Sequence, residues 1–341
     1  MRFHTTAGIF LLLSLALGAQ PTLAAPKCEI DRPVVFAGLD WDSVRVHNNI
    51  ARYIAREGYG CRTEAIPGST IPLLAGMARG DIDVTMEIWI ANVEEAYNKE
   101  LENGTVLDLG VNFPDAVQGF YVPTYVMEGD PDRGIEAMAP ELTSVFDLPR
   151  YKDLFRDPEE PDKGRIYNCI LGWGCEKVNT KKIEVYGLDD DYTNFRPGTG
   201  AALAAAFASA YQRGKPIVGY YWGPTWILGK YDMTMLDEPP YDPQVWKELE
   251  GTENPDQACA WPVIAVHVSA NAEFAKAAPR LVEFLKNYET SNKLVSQALA
   301  FMQDNDATAE EAAVWFLKEK ESLWTKWVPG DVAEHVKASL M

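Results

Sequence analysis

Short apolar runs alternate with stretches of helical spacing through the first third of the chain. The strand-like runs are the apolar or alternating segments 33–39, 63–66, 82–89 and 106–109. Between them lie segments whose apolar residues recur three and four positions apart, at 44–57, 73–79 and 93–102. This repeated order of strand and helix predicts an α/β fold with a largely parallel sheet.

The same order returns in the second half of the chain, after a looser region. We predict strands at 165–168, 192–195, 217–222 and 263–268 and helices at 177–186 and 201–211. The acidic segment 157–163 does not match a calcium-binding loop and is predicted to be solvated. After Glu273 the spacing is helical. Two α/β lobes with a helical tail fit this pattern better than a single sheet.

The N-terminus has the pattern of a secretory signal. Arg2 precedes the apolar run 7–17, and small residues follow at Ala24 and Ala25. This order predicts a signal peptide over residues 1–25, cleaved after Ala24 or Ala25. Its apolar core is too short to span a bilayer, and no later segment holds about 18 uninterrupted apolar residues. The mature chain is therefore predicted to be exported and soluble.

The charge balance is strongly acidic. The chain has 31 Lys and Arg against 50 Asp and Glu, a formal net charge of −19. Nucleic-acid binding needs a basic surface, so the composition argues against that class of partner. The acidity favours solubility, and it attracts small cationic ligands.

Five cysteines in an exported chain predict disulfides with one thiol left over. Cys169 and Cys175 frame the loop CILGWGC and form the first predicted pair. Cys28 and Cys61 form the second, because each precedes a strand-like run and neighbouring parallel strands bring such positions together. Cys259 is then the odd cysteine, and a small buried apolar residue is its simplest interpretation.

No catalytic, cofactor or metal site emerges from the motifs. The predicted mature chain has three histidines, His47, His267 and His335, and none has the spacing of a metal-binding pair. A Gly-x-Ser-x-Gly nucleophile motif is absent. The turn at 198–200 lacks the third glycine of a dinucleotide-binding loop. A hydrolase or oxidoreductase therefore stays an alternative for which no nucleophile or cofactor loop is identified.

Three tryptophans stand at predicted strand ends and turns. Trp89 ends the alternating strand IDVTMEIW, Trp173 lies between two glycines in CILGWGC, and Trp222 ends PIVGYYW. Residues at the carboxyl ends of strands line the ligand crevice of α/β sheets. Three indoles there would form an aromatic box, and each attracts a desolvated quaternary ammonium group by about 2 kcal/mol.

These motifs resemble a known family. The segments GWGCE (172–176), YYWGPTW (220–226) and GDIDVTMEIW (80–89) are similar to those of the periplasmic glycine betaine and choline binding proteins of ABC importers, the OpuAC and ProX type. The resemblance runs from about Pro33 to the C-terminal helices. It implies a two-lobed type II periplasmic binding protein that delivers its ligand to a permease in the inner membrane.

The resemblance also implies a domain organisation. Lobe I comprises residues 26–118 and 264–341, and lobe II comprises residues 119–263. Each lobe is expected to be a mainly parallel sheet flanked by helices, with the ligand in the cleft between the lobes. The expected protein is a periplasmic monomer without a cofactor or a metal.

Carried over by position, Trp89, Trp173 and Trp222 surround the trimethylammonium group of the ligand. Gly174 and Cys175 offer backbone N–H groups to a betaine carboxylate. These roles follow from the resemblance alone.

The chain departs from the family pattern at two positions. Glycine betaine binders have a histidine four residues after the first box tryptophan, where this chain has Val93. Choline binders have a tryptophan in the first strand-to-helix turn, followed by an acidic residue. Trp41 and Asp42 stand there, with the carboxylate one place earlier than in that pattern.

Two further residues are candidates for the same site. Glu87 and Trp89 point to one face of an alternating strand, so a carboxylate is expected beside the box. An anion there favours a bare cation over a ligand with a carboxylate. The alternative for Glu87 is a salt-bridged or solvated strand end. Tyr121 has two interpretations. It contributes an aromatic ring or a hydroxyl group to the ligand site, or it packs in the hinge between the lobes.

The sequence thus predicts a binding protein for a quaternary ammonium compound, either betaine-like or choline, with a role in osmoprotection. Another zwitterion or cationic amine, including carnitine or the sulfonium compound dimethylsulfoniopropionate, is the alternative ligand. A sensory protein that presents its closed form to a membrane receptor fits the same residues.

Overall fold

The computed structural model describes residues 25–341, and the predicted signal peptide lies outside the described residues except for Ala25. The first half of the chain alternates strands and helices as predicted. These elements are β1 Val34–Gly38, α1 Asp42–Tyr53, β2 Thr63–Pro67, α2 Thr70–Arg79, β3 Val84–Ile88 and α3 Glu94–Glu102. A π-helical turn, Ile54–Gly58, extends α1. β1 pairs in parallel with both β2 and β3, so the carboxyl ends of all three strands lie at one edge.

The strand β4, Val106–Pro123, joins the two halves of the molecule. Its first part pairs with the antiparallel strand β9 (Ile264–Asn271), and its last part pairs with the antiparallel strand β7 (Val218–Gly223) of the second half. The pairing register with β9 shifts near Gly110 and again before Ala116. The sequence pattern predicted a strand of only four residues here, which is wrong, because Gly110, Pro114 and Asp115 interrupt the alternation that marks a strand.

The second half of the molecule repeats the α/β order around a second group of strands. Its elements are α4 Thr124–Glu128, β5 Gly164–Tyr167, α5 Gly174–Val185, β6 Tyr192–Phe195, α6 Gly200–Gln212, β7 Val218–Gly223, α7 Trp226–Lys230, β8 Met233–Met235 and α8 Pro243–Gly251. β5 pairs in parallel with β6 and β7, whereas β8 is antiparallel to β4. The connection from α4 to β5 contains two short 3-10 helices, Pro131–Arg133 and Val145–Tyr151.

The chain returns to the first half through β9, Ile264–Asn271, which lies between β3 and β4. The helical tail follows as α9 Ala272–Ala277, α10 Pro279–Asn287, α11 Asn292–Asn305, α12 Ala309–Glu319, α13 Glu321–Trp324 and α14 Gly330–Leu340. α11 and α12 pack on α1, so the tail covers the first half. Trp324 and Trp327 are buried there and fill the core between these helices. In the range 25–341, no helix is both long and apolar enough to cross a membrane.

The structure contains both predicted disulfides. Cys28 and Cys61 are joined with a Cα–Cα distance of 4.7 Å, and Cys169 and Cys175 with 6.1 Å. Cys259 has a free thiol and is buried. The disulfide between Cys28 and Cys61 lies at the amino ends of β1 and β2. The tryptophans described below lie at the carboxyl ends of the first-half strands.

Candidate ligand-binding site

Four tryptophans converge on one cavity between the two halves. Trp41 follows β1 and begins α1, Trp89 follows β3, Trp173 precedes α5, and Trp222 lies near the end of β7. Each therefore stands at or just beyond the carboxyl end of a strand, where α/β sheets bind ligands. The cavity is lined by Trp41, Thr70, Trp89, Asn92, Trp173, Gly174, Cys175, Tyr220 and Trp222. We call the four indoles the tryptophan box.

Trp173 is the central ring of the box. Its centroid lies 5.5 Å from that of Trp41 and 5.3 Å from that of Trp222, with nearly perpendicular ring planes in both pairs. All four indoles are at most 8% exposed. The cavity among them has a volume of about 30 Å³.

Two carboxylates behind the rings accept hydrogen bonds from three of the four indole N–H groups. Trp41 Nε1 and Trp89 Nε1 donate to Oε2 of Glu87 at 2.8 and 3.0 Å. Trp173 Nε1 donates to Oδ1 of Asp40 at 2.8 Å. Because the polar edges of three indoles are engaged in this way, these rings keep their π faces for a ligand.

The box is joined to the N-terminus of α5. Trp173 is the N-cap residue of this 12-residue helix and makes no side-chain capping hydrogen bond. Gly174 and Cys175 line the cavity and occupy the first turn, where backbone N–H groups lack intrahelical partners. The disulfide from Cys169 to Cys175 ties that turn to the preceding loop. Free N–H groups and the helix dipole together suit an anionic group of a ligand.

Part of the cavity wall was not predicted from the sequence. Asn92 and Gln118 exchange two amide hydrogen bonds, of 2.9 and 3.0 Å. Tyr220 donates its hydroxyl hydrogen to Oε1 of Gln118 at 2.6 Å. Tyr220 stands two residues before Trp222 on β7, so strand alternation was a usable signal for it. Thr70 and Asn92 carry no comparable signal in the sequence.

Three predicted site residues lie outside the wall of this cavity. Glu87 stands behind Trp41 and Trp89 and is fully buried. The alternative interpretation of Glu87 was a salt-bridged or solvated residue at the strand end. Solvation is wrong, because the indoles of Trp41 and Trp89 cover the carboxyl group. Asp42 lines a neighbouring cavity of about 320 Å³, and Tyr121 is buried on β4 opposite Gly219. Contact of these three residues with a ligand stays a prediction.

A box of indoles between two α/β halves, beside a helix N-terminus, defines a substrate-binding protein of a transport system. The chain belongs to the OpuAC family, the substrate-binding domain of ABC-type glycine betaine transport systems, whose model matches residues 32–319. This membership confirms the resemblance, the α/β two-lobed class and the transport function that the motifs predicted.

Two characterised relatives illustrate the range of the family. The chain is 23% identical over 294 residues to the trimethylamine N-oxide-binding protein of Pelagibacter ubique, covering 86% of this chain and 90% of that one. It is 24% identical over 244 residues to the glycine betaine/proline betaine-binding periplasmic protein of Escherichia coli, covering 68% of each.

Solved structures share the fold. An ABC-transporter choline binding protein in complex with choline superposes with a TM-score of 0.71 at 19% identity, covering 91% of this chain and 98% of that one. The glycine betaine/L-proline-binding protein of Borrelia burgdorferi superposes with a TM-score of 0.70 at 20% identity, covering 89% of this chain and all of the other.

Proposed function

We propose that this chain captures a small trimethylammonium compound in the tryptophan box and delivers it to an ABC importer. The observation that carries the proposal is the convergence of four indoles, two from each half of the molecule, on one cavity. A desolvated cation gains about 2 kcal/mol from each ring face. Because each half supplies part of the box, the full attraction arises only when the two halves close on the ligand.

The ligand is proposed to be betaine-like or choline. The N-terminus of α5, with Gly174 and Cys175, is the proposed seat of a carboxylate or another anionic oxygen. Val93 stands where glycine betaine binders of the family have a histidine, so one carboxylate donor is missing. Proposed roles of Asp42 and Tyr121 are contacts with the ligand from the neighbouring cavity and from β4. Glu87 is treated separately below.

Trimethylamine N-oxide is a second candidate ligand. It combines the trimethylammonium-like methyl groups with a single anionic oxygen, which needs fewer donors than a carboxylate. The valine at position 93 favours it, because the histidine that would add a carboxylate donor is absent. The relative from Pelagibacter ubique, which is similar over most of both chains, is named for binding this compound.

The proposed transport cycle uses the predicted lobes, residues 26–118 with 264–341 and residues 119–263. Support comes from β4, which runs from one group of strands to the other and contains the predicted boundary. We propose that the signal peptide is cleaved, that the mature chain is a periplasmic monomer, and that its closed form docks on a permease of the inner membrane. We further propose that the chain binds its ligand without catalysing any reaction.

A calorimetric panel tests the proposal. Glycine betaine, choline, trimethylamine N-oxide, carnitine, dimethylsulfoniopropionate and proline are titrated into the mature protein, and bound ligand is recovered and identified by NMR. We expect micromolar or tighter binding of at least one trimethylammonium compound, recovered unchanged. Trp173→Ala should weaken it by about 30-fold or more, the equivalent of one cation–π contact of about 2 kcal/mol.

Trp315→Ala is the matched control. Trp315 is a partly buried tryptophan that stacks on Phe301 in the helical tail and is not among the residues that line the cavity of the box. It should change stability without changing affinity. If no compound binds and tryptophan fluorescence does not respond, the proposed function is wrong. Binding that both substitutions weaken equally would also count against a role for the box.

A further inference from the structure

Glu87 is a buried carboxyl group directly behind the tryptophan box. Its Oε2 accepts the indole N–H groups of Trp41 and Trp89, and its side chain is 0% exposed. Its other oxygen, Oε1, accepts no hydrogen bond of ordinary geometry from the described residues. Glu87 also lines a small, mainly apolar cavity together with Leu73 and Met77 among others. Solvent therefore does not reach this carboxyl group.

The groups that face Glu87 supply no positive charge. His47 on α1 places Nε2 3.9 Å from Oε1 of Glu87, and burial lowers the pKa of His47 to about 3. The histidine is therefore neutral at physiological pH. Its Nδ1 lies 2.8 Å from the hydroxyl of Tyr288, whose pKa burial raises well above its usual value. Ser43 on α1 contributes only a hydroxyl group.

A buried carboxylate without a cationic partner is costly. In keeping with this, burial raises the pKa of Glu87 to about 7, even though the two indole N–H groups and the Ser43 hydroxyl favour its ionised form. In the part of the chain that the structure describes, the ion pairs with lysine or arginine involve other carboxylates. A positive charge that balances the Glu87 carboxylate therefore has one available position, which is the tryptophan box on the other side of the two indoles.

We propose that Glu87 is the buried counter-ion of the bound ligand and acts on it through the rings of Trp41 and Trp89. This inference rests on the proposed function. The carboxylate attracts the ammonium group across the indoles and opposes a carboxylate on the ligand. By accepting both N–H groups it also fixes the two ring planes. Glu87 is thus a specificity-determining residue that favours a net cation such as choline over a zwitterion.

The inference implies that ligand uptake releases a proton. Near neutral pH a fraction of the protein holds a protonated Glu87, and a cation in the box favours the ionised form, so the proton passes to the buffer. Below the pKa of Glu87 the ligand must drive that ionisation itself. Choline has no group that titrates in this range, and we expect its affinity to be about ten-fold lower at pH 5.5 than at pH 8.

Calorimetry measures this proton directly. Choline chloride and glycine betaine are titrated into the mature protein at pH 5.5 to 8.5, and at pH 7 in two buffers with different ionisation enthalpies. The test variant is Glu87→Gln, whose amide oxygen still accepts from both indoles. The control is Glu250→Gln, because burial also raises the pKa of Glu250 to about 7 and this residue accepts from the backbone N–H of Glu95.

We expect the wild-type protein and Glu250→Gln to release protons and to show the pH dependence. Glu87→Gln should release none, show a flat profile and lose several-fold more affinity for choline than for glycine betaine. Proton release that persists in Glu87→Gln overturns the inference, and so does a flat profile in the wild-type protein. If Glu87→Gln does not fold, the wild-type and Glu250→Gln profiles decide. If the wild-type protein binds neither compound, the inference is overturned; the proposed function is overturned as well only if no compound of the calorimetric panel above binds.

Discussion

Asp40 and Trp173 connect the two halves of the molecule by a hydrogen bond of 2.8 Å from Nε1 to Oδ1. The second oxygen of Asp40 accepts from the backbone N–H of Gly200 at 3.3 Å, at the beginning of α6. Asp40 follows β1 in the first half, whereas its two partners belong to the second half. One carboxylate thus fixes the central ring of the box and closes one half on the other.

Asp40→Ala should therefore weaken ligand binding by about ten- to a hundred-fold, since hydrogen bonds to a charged group contribute about 1.5 to 3 kcal/mol. Asp40→Asn keeps an acceptor for Trp173 and should recover part of the loss. Calorimetry measures the affinity, and small-angle scattering compares the closed fraction with ligand present. Equal affinity in all three proteins would show that this contact does not support closure.

Gly174 touches the opposite half so closely that a side chain there should prevent closure. A Cβ atom at this position would lie within contact of the Asn92 carbonyl, at 2.0 Å from its oxygen. Gly174→Ala should leave the melting temperature of the ligand-free protein nearly unchanged and reduce affinity at least ten-fold, because only the closed form contains the clash. At Gly198 a Cβ atom would meet open space, so Gly198→Ala is the control and should bind normally.

The two disulfides should have different roles. Cys28 and Cys61 are 33 residues apart, and closing such a loop stabilises the fold by about 4 kcal/mol on the chain-entropy model. Cys169 and Cys175 are six residues apart, which gives about 2 to 2.5 kcal/mol. Replacing the first pair by serine should lower the melting temperature more and leave affinity unchanged. Replacing the second pair should reduce affinity, because it loosens the first turn of α5.

Chemical denaturation and calorimetry on the two double variants check this separation. Both variants are compared with the wild-type protein under the same non-reducing conditions. An affinity loss in the Cys28 and Cys61 variant that exceeds the loss in the Cys169 and Cys175 variant would contradict it.

Asp157 makes the free energy of unfolding depend on pH in the acidic range. The segment 157–163 was predicted to be solvated, which is wrong for this residue, because Asp157 is fully buried and forms two hydrogen bonds with Arg165. The Arg165 guanidinium lowers the pKa of Asp157 to about 2. The pKa of an aspartate in the unfolded chain is about 3.9. The stabilisation is therefore present above pH 4 and is lost as the pH falls towards 2.

Asp157→Asn should accordingly destabilise the protein by about 1 to 2 kcal/mol at pH 7 and by much less at pH 2. Urea denaturation at both values measures the difference in the free energy of unfolding. Glu159→Gln is the control, because the Glu159 side chain is exposed and its ion pair with Arg165 is the longer one, at 3.4 Å. A difference for Asp157→Asn that does not shrink at low pH would contradict the pairing.

Much of this molecule can be read from local sequence. The alternation of apolar runs and helical spacing predicts the α/β order, since both periods are properties of short segments. Both disulfides and three of the four box tryptophans follow from loops and strand ends such as CILGWGC and PIVGYYW. The place of Trp41 in the box was predicted only by resemblance.

The tertiary structure decided which groups stand behind the rings. The bond from Trp41 to Glu87 spans 46 residues, and that from Trp173 to Asp40 spans 133. Contacts of this length depend on how the strands are ordered in the sheet, which no local period encodes. The same holds for β4, whose single strand is maintained by β9 up to Ala116, through Gly110 and Asp115, and by β7 from Val117 onwards. The sequence determined the aromatic walls and the place of Glu87 beside Trp89, and folding determined that Glu87 and Asp40 also hold the rings of Trp41 and Trp173.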